Sequence, residues 1–427
     1  MARLREVLAD TRPLRNDHFR RLWLANIVTV IGAQLTIVAV PAQIYAMTGS
    51  SAYVGLTGLF GLVPLVVFGL WGGALADAMD RRLLLVVTTV GLILTSAAFW
   101  AQAASGLANV WPLLGLFAIQ QAFFAINQPA RQAILPKLIP AQQIPAGNAL
   151  NMTIAQVGGI AGPLVAGALI PFVGLAWLYL LDTVFLFATL YAVVKLPPLP
   201  VDTVSARPGL RSVVEGLAYL RGQPVLMMSF VVDIIAMLFG MPRALFPQIS
   251  HESFGGPAEG GLAFAILFAA IPAGAMIGGI FSGWVSRIER QGLAVIVAII
   301  VWGMAMVGFG VAVGLAHGPS TGLLALATGM LMLGGAADMT SAAFRMSMLQ
   351  TAASDEVRGR LQGVFLVVVA GGPRIADVAH GAAAASVGTA VAAAGGGVLV
   401  VIGTVVAALV VPAFVRYRFV DTVGRSA

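Results

Sequence analysis

Cysteine is absent from the 427 residues, and charge is scarce: Asp, Glu, Lys and Arg make up 10% of the chain. The first absence excludes disulfides, thiol catalysis and thiolate metal sites. The four histidines are scattered, so neither a metal nor a cofactor is expected. The second absence decides the class of protein. An ordinary soluble domain carries about 25% charged residues, whereas this chain is 59% hydrophobic with a mean hydropathy of +0.95. No soluble core hides that much apolar surface, so the solvent is lipid. The sequence also lacks a phosphate-cradling Gly-x-x-x-x-Gly-Lys loop, His-Glu-x-x-His and Gly-x-Ser-x-Gly. Those gaps argue against an ATP-driven pump and against the hydrolases built on these motifs; no enzyme is expected. The net charge of +7 does not point to nucleic acid. Its basic residues occupy short loops between apolar runs, which is the pattern of membrane orientation. The N-terminus, polar to about Arg21, lacks the apolar core and small-residue cleavage site of a signal peptide. The first apolar run would therefore act as its own insertion signal.

What is present is a succession of such runs. A span needs about 20 mainly apolar residues, and twelve candidates occur, at about 20–47, 52–76, 83–105, 110–130, 145–170, 174–194, 223–247, 260–286, 291–315, 321–347, 360–387 and 389–415. Span eleven is the weakest, because Arg374, Asp377 and His380 interrupt it. Placing both termini in the cytoplasm puts nearly every arginine and lysine inside and leaves only Arg243 at the outer edge of span seven. The expected location is the inner (cytoplasmic) membrane. The longest polar interruption starts at Lys195 and contains a Leu-Pro-Pro-Leu-Pro run that cannot continue a helix. Beyond it, Leu210, Val213, Val214, Leu217 and Leu220 share one helical face, as expected of an amphipathic helix on the inner membrane surface. The expected domains are a six-helix bundle over 1–195, a linker over 196–222 and a second six-helix bundle over 223–427.

The two halves repeat. At an offset of 214 residues, Arg131 falls on Arg345, Leu135 on Leu349, Gly158 on Gly372 and Gly167 on Gly381. Parallel six-helix halves facing a central cavity are the arrangement of major facilitator transporters. The turn after span two carries the motif of that superfamily. Gly73, Leu75, Asp77, Arg81 and Arg82 match Gly-x-Leu-x-Asp-Arg-x-Gly-Arg-Arg, with Ala78 in place of the first arginine and Asp80 in place of the second glycine. The resemblance implies an all-α fold of twelve transmembrane helices in two pseudo-twofold halves. It also implies that Asp77 and Arg81 steady the cytoplasmic gate. Arg131 and Arg345, at the inner ends of spans four and ten, read as gate residues or as headgroup anchors. Span five, with Gly158, Gly162, Pro163 and Gly167, resembles the antiporter motif of exporters in this superfamily; it reads equally as a close-packing face.

Buried ionisable groups narrow the chemistry, since a charge near the bilayer centre costs at least ~3 kcal/mol on insertion scales. Four acids fall inside spans: Asp182, Asp233, Asp338 and Asp377. Asp182 reads as a hydrogen-bonded structural acid. Asp233, Asp338 and above all Asp377, with Arg374 one turn before it, are candidates to load and release protons. Spans one, four, seven and ten line the cavity in this architecture. Asn26, Gln34, Gln120, Gln121 and Asn127 could there bind an oxygen-rich or aromatic ligand against adaptable walls such as Phe124 and Met237. Further stretches, including Met348-Leu-Gln-Thr, Arg358-Gly-Arg-Leu and Gly371-Gly-Pro-Arg-Ile-Ala-Asp377, resemble the branch that holds bacterial enterobactin exporters and macrolide-type efflux proteins. That likeness implies a proton-coupled, inner-membrane exporter of a small amphiphilic molecule, with a lean toward a siderophore-type compound. A broad-specificity drug efflux pump and a non-transporting sensor or scaffold are the alternatives. The expected partners are the bilayer, the substrate and protons, with no nucleic acid and a monomeric chain.

Overall fold

In lipid, every backbone N–H and C=O must be satisfied within its own segment, so apolar runs of this length become helices. The computed structural model describes residues 10–199, 215, 218–352 and 355–418. Its long helices are α1 (Asp17–Thr48), α2 (Ser51–Ala78), α3 (Arg81–Ala104) and α4 (Val110–Leu138). A run over Ile144–Val194 follows. Gly174 breaks it with a φ of 75°, a left-handed conformation that glycine alone adopts freely, so α5 covers 144–173 and α6 covers 175–194. The second half holds α7 (Pro224–Gly240), α8 (Leu262–Ile280), α9 (Gln291–Leu315), α10 (Thr321–Ala352), α11 (Asp355–Val387) and α12 (Thr389–Val410). Among the described residues, ten segments are long and apolar enough to cross a membrane by length and composition. One of those ten is the run that Gly174 divides, and α11, with 33 residues, is long enough for the twelfth.

The helices pack as two compact units. One comprises Met1–Val40 and Val63–Gly209, the other Pro41–Leu62 and Leu210–Ala427. The last turns of α1 and the first turns of α2 thus belong with the second half. Pro41 lies inside α1 and Pro64 inside α2, both close to where those helices change unit. In the first unit α3 packs on α4 and on the α5–α6 run. At one end of it Phe19, Leu84, Leu85, Ile134, Leu138 and Val193 form a buried cluster. In the second unit α9 packs against α10 and α12, and α8 against α10. Trp302 of α9 is fully buried there, lying against Gly240 and Gly334, where no side chain would fit.

Three expectations change. Span seven is not continuous over 223–247: α7 stops at Gly240, and the backbone leaves helical geometry at Met241 and Pro242. A short helical stretch resumes at Arg243 and ends in a π-helical turn, Ile249–Ser253. Pro242 has no N–H to continue the ladder, and that is the physical cause of the break. Most of the amphipathic linker segment lies outside the described residues. Leu220, however, is fully buried against Leu226, Phe230 and Leu349, so this residue covers the protein rather than lipid. Asp80, which departs from the loop motif, has a structural role of its own. It caps α3 by accepting from the Leu83 N–H at 3.1 Å, and its other oxygen accepts from the Leu199 N–H at 2.9 Å. Loss of a helix cap costs roughly 0.5–2 kcal/mol. Asp80→Ala is therefore expected to lower the unfolding temperature of the detergent-solubilised protein by several degrees, while Asp80→Asn, which keeps an acceptor, retains most of it.

Candidate functional site

The polar side chains named from the sequence gather in clusters within each unit. In the first unit, Arg131 on α4 donates from Nη1 to Asn26 Oδ1 of α1 at 2.7 Å. Its Nε lies 3.4 Å from Asn127 Oδ1, one turn earlier on the same helix. Asn127 in turn donates to Thr88 Oγ1 of α3 at 2.8 Å. Three helices are thus tied by one amide–guanidinium chain. Asn26 and Arg131 are half-buried and Asn127 is buried. Asp182 on α6 is a separate knot, 1% exposed. It accepts from Thr36 at 2.7 Å and from Ser96 at 3.0 Å, tying α6 to α1 and α3.

The small residues of α5 make close helix contacts with α1. A methyl group at Gly158 would strike Val30, and one at Gly162 would strike Gln34. Gln34 therefore lies over the glycine face, where Pro163 and Gly167 are buried too. Gln120 is half-buried and Gln121 buried, whereas Phe124 is 40% exposed.

In the second unit, Arg345 of α10 pairs through Nη1 with Asp233 Oδ2 of α7, and its Nε donates to Ser341 Oγ at 3.2 Å. Asp233 has no exposed surface and Arg345 is 6% exposed. Asp338, one turn before Ser341, lies within electrostatic reach of both charges. Met237 packs against Gly372 of α11, so it is a buried packing contact in this arrangement.

The third cluster is built on the break in α7. Asp377 of α11 is 8% exposed. It lies near the Ala244 N–H, in the first turn after the break, and within electrostatic reach of Arg243 and Arg374. The start of a helical segment presents free N–H groups and a positive dipole end, so a carboxylate is well placed there. Arg243, read from the sequence only as an outer-edge residue, is the cation that sequence reasoning missed. Its one signal was adjacency to Gly240-Met-Pro242. His380 is buried one turn beyond Asp377.

The first turns of α2 pack against this cluster. A Cβ at Gly55 would lie 2.6 Å from the Asp377 carbonyl oxygen. One at Gly58 would collide with the Arg374 carbonyl, and one at Gly61 would touch its guanidinium at 3.1 Å. Beside them Ser51 donates to Gln248 at 2.6 Å, while Tyr45 and Gln248 both donate to Glu252 at 3.0 Å.

On the turn after α2, Arg81 reaches the Ala133 carbonyl at 3.3 Å and Arg82 the Val194 carbonyl at 2.8 Å. The side chains of Gly73 and Asp77 lie outside the described residues.

A family model for transmembrane secretion effectors matches residues 9–417. The enterobactin exporter EntS of Shigella boydii serotype 18 is 29% identical over 354 residues, 81% of this chain and 80% of the relative. EntS of Escherichia coli O1:K1 is 28% identical over the same shares. Among solved structures, a peptide transporter of the POT family in complex with alafosfalin aligns with a TM-score of 0.76 at 11% identity, covering 94% of this chain and 95% of that one. A bacterial homologue of the iron transporter ferroportin in an inward-facing state aligns with a TM-score of 0.67 at 14% identity, covering 93% and 98%. These two likenesses show the fold.

Proposed function

This chain belongs to the transmembrane secretion effector family of major facilitator transporters, and from that premise we propose that it is a proton-coupled exporter in the inner membrane. It is a multi-pass membrane transporter rather than an enzyme; the finer reading concerns coupling, cargo and orientation. The observation that carries it is Asp377, a buried intramembrane carboxylate beside a helix break and within electrostatic reach of Arg243 and Arg374. Such a charge is costly in lipid and is retained where it does work. Proton exchange needs an acid whose partners differ between states. A carboxylate beside a broken helix changes its distance to nearby cations when the break moves, so its proton affinity is tied to conformation. Asp233 and Asp338, around Arg345, are the next acids in line.

The cargo is a small amphiphilic organic molecule, with a lean toward a siderophore-type compound, because the curated relatives are enterobactin exporters. Both termini are placed in the cytoplasm and the chain acts as a monomer. Counterflow in proteoliposomes tests export against a sensor or scaffold. With purified protein and a catecholate siderophore on both sides, a radiolabelled trace should enter preloaded vesicles at least several-fold faster than empty ones. Equal rates with that compound but preloading effects with several unrelated dyes would identify a broad drug pump. Equal rates with all of them would identify a scaffold.

A further inference from the structure

The same three-part arrangement is built twice, and the two copies differ in the charge of the group that answers the arginine. In the second unit, Arg345 Nε bonds Ser341 four residues earlier, and Nη1 bonds Asp233 on α7. In the first unit, Arg131 Nε bonds Asn127 four residues earlier, and Nη1 bonds Asn26 on α1. An offset of 214 residues carries Asn127 and Arg131 onto Ser341 and Arg345. An offset of 207 carries Asp17, where α1 begins, onto Pro224, where α7 begins, and it carries Asn26 onto Asp233. The guanidinium atoms used are the same. The helix that answers is the repeat equivalent. The residue four positions earlier is polar in both, Asn127 and Ser341, and the answering group changes charge: a carboxylate in the second unit, a neutral amide in the first.

The consequence is electrostatic. Asp233 neutralises Arg345, but an amide oxygen carries only a partial charge, so Asn26 does not neutralise Arg131. Among the described residues no ion pair involves Arg131. Its Nη2 makes no bond among them, and the residue as a whole is half-buried. A cation in a membrane segment is retained beside an anion or a water-filled cavity. A guanidinium whose outer edge is free is a fork for a carboxylate, phenolate or phosphate oxygen.

We propose that Arg131, oriented by Asn26 and Asn127, is the substrate-recognition cation, and that the exported molecule is an anion whose charged oxygen binds Arg131 as Asp233 binds Arg345. The inference rests on the exporter reading for its cargo, but it makes a claim about binding that stands apart from transport. Asn26 and Asn127 then have a defined role, since they hold the fork in place without cancelling its charge. The substrate class is set by charge and not by size.

The test is binding to purified protein in nanodiscs, with acids compared against their own neutral amides. The probes are salicylate with salicylamide, 1-naphthoate with 1-naphthamide, and 2,3-dihydroxybenzoate with its amide. Wild type should prefer at least one acid over its amide by about tenfold or more, the scale of one charge-assisted hydrogen bond. Arg131→Gln should erase that preference. Asn26→Asp should erase it too, because it supplies the carboxylate that the second unit already has; this variant keeps the fork and its shape, so it remains informative if Arg131→Gln folds poorly. A wild-type protein that prefers none of the acids overturns the proposal, as does an acid preference that survives Asn26→Asp. Export is scored separately by counterflow. Acid preference without counterflow would leave the recognition site standing and remove the exporter reading; counterflow without acid preference would do the reverse.

Discussion

Asp377→Asn is expected to abolish substrate accumulation driven by a pH gradient in inside-out vesicles, by at least about tenfold, while exchange without a gradient persists. Asparagine keeps the shape, so the helix break should hold. What it removes is the group that gains and loses a proton. The structure adds a second variant to this test. Arg243 lies within electrostatic reach of Asp377, as Arg374 does, so Arg243→Gln should alter the pH dependence of transport as Arg374→Gln does. If Asp377→Asn still accumulates substrate, coupling lies with Asp338 or Asp233. If the variant fails to fold, Asp377 is a structural acid.

Arg345→Met should be the most destabilising single change considered, because it strands Asp233 with no exposed surface and no cation. Removing one partner of a buried ion pair costs about 3–5 kcal/mol, whereas replacing both with apolar groups is often neutral. Reduced membrane yield and a lower unfolding temperature are expected for Arg345→Met. The double variant Asp233→Leu with Arg345→Met should recover most of the stability but not the transport. Recovery of both would make the pair a packing device. Failure of the double variant to recover stability would mean that Asp338 depends on Arg345 as strongly as Asp233 does.

The twelve spans could be read from the sequence because lipid leaves the backbone no choice but helices, and because apolar runs of about 20 residues have few other uses. The ends of α1 and α2 show where that reading stops. Hydropathy says that 41–62 is membranous but not which half it packs with, since that depends on glycine contacts such as Gly55 on Asp377 and Gly381 on Ser51. The break in α7 was legible in Gly240-Met-Pro242, yet an apolar run around a proline is also compatible with a kinked, continuous helix. The acids were found because any carboxylate in a span stands out, whereas their partners were not. Arg243 and Asp377 are far apart in the chain and meet only through packing, as do Asn26 and Arg131. The repeat offset did carry information about pairing: Arg131 and Arg345 fall on each other, and each bonds the residue four positions before it.

The most direct measurement of the central claim is proton-coupled accumulation by the wild-type protein alone. Proteoliposomes oriented with the cytoplasmic face outward, acidic inside and neutral outside, are given radiolabelled siderophore externally, with and without a protonophore. The account predicts accumulation above the external concentration, release of protons from the lumen in step with uptake, and collapse of both to equilibrium when the protonophore is added. Uptake that never exceeds equilibrium, or accumulation that the protonophore leaves unchanged, would contradict it.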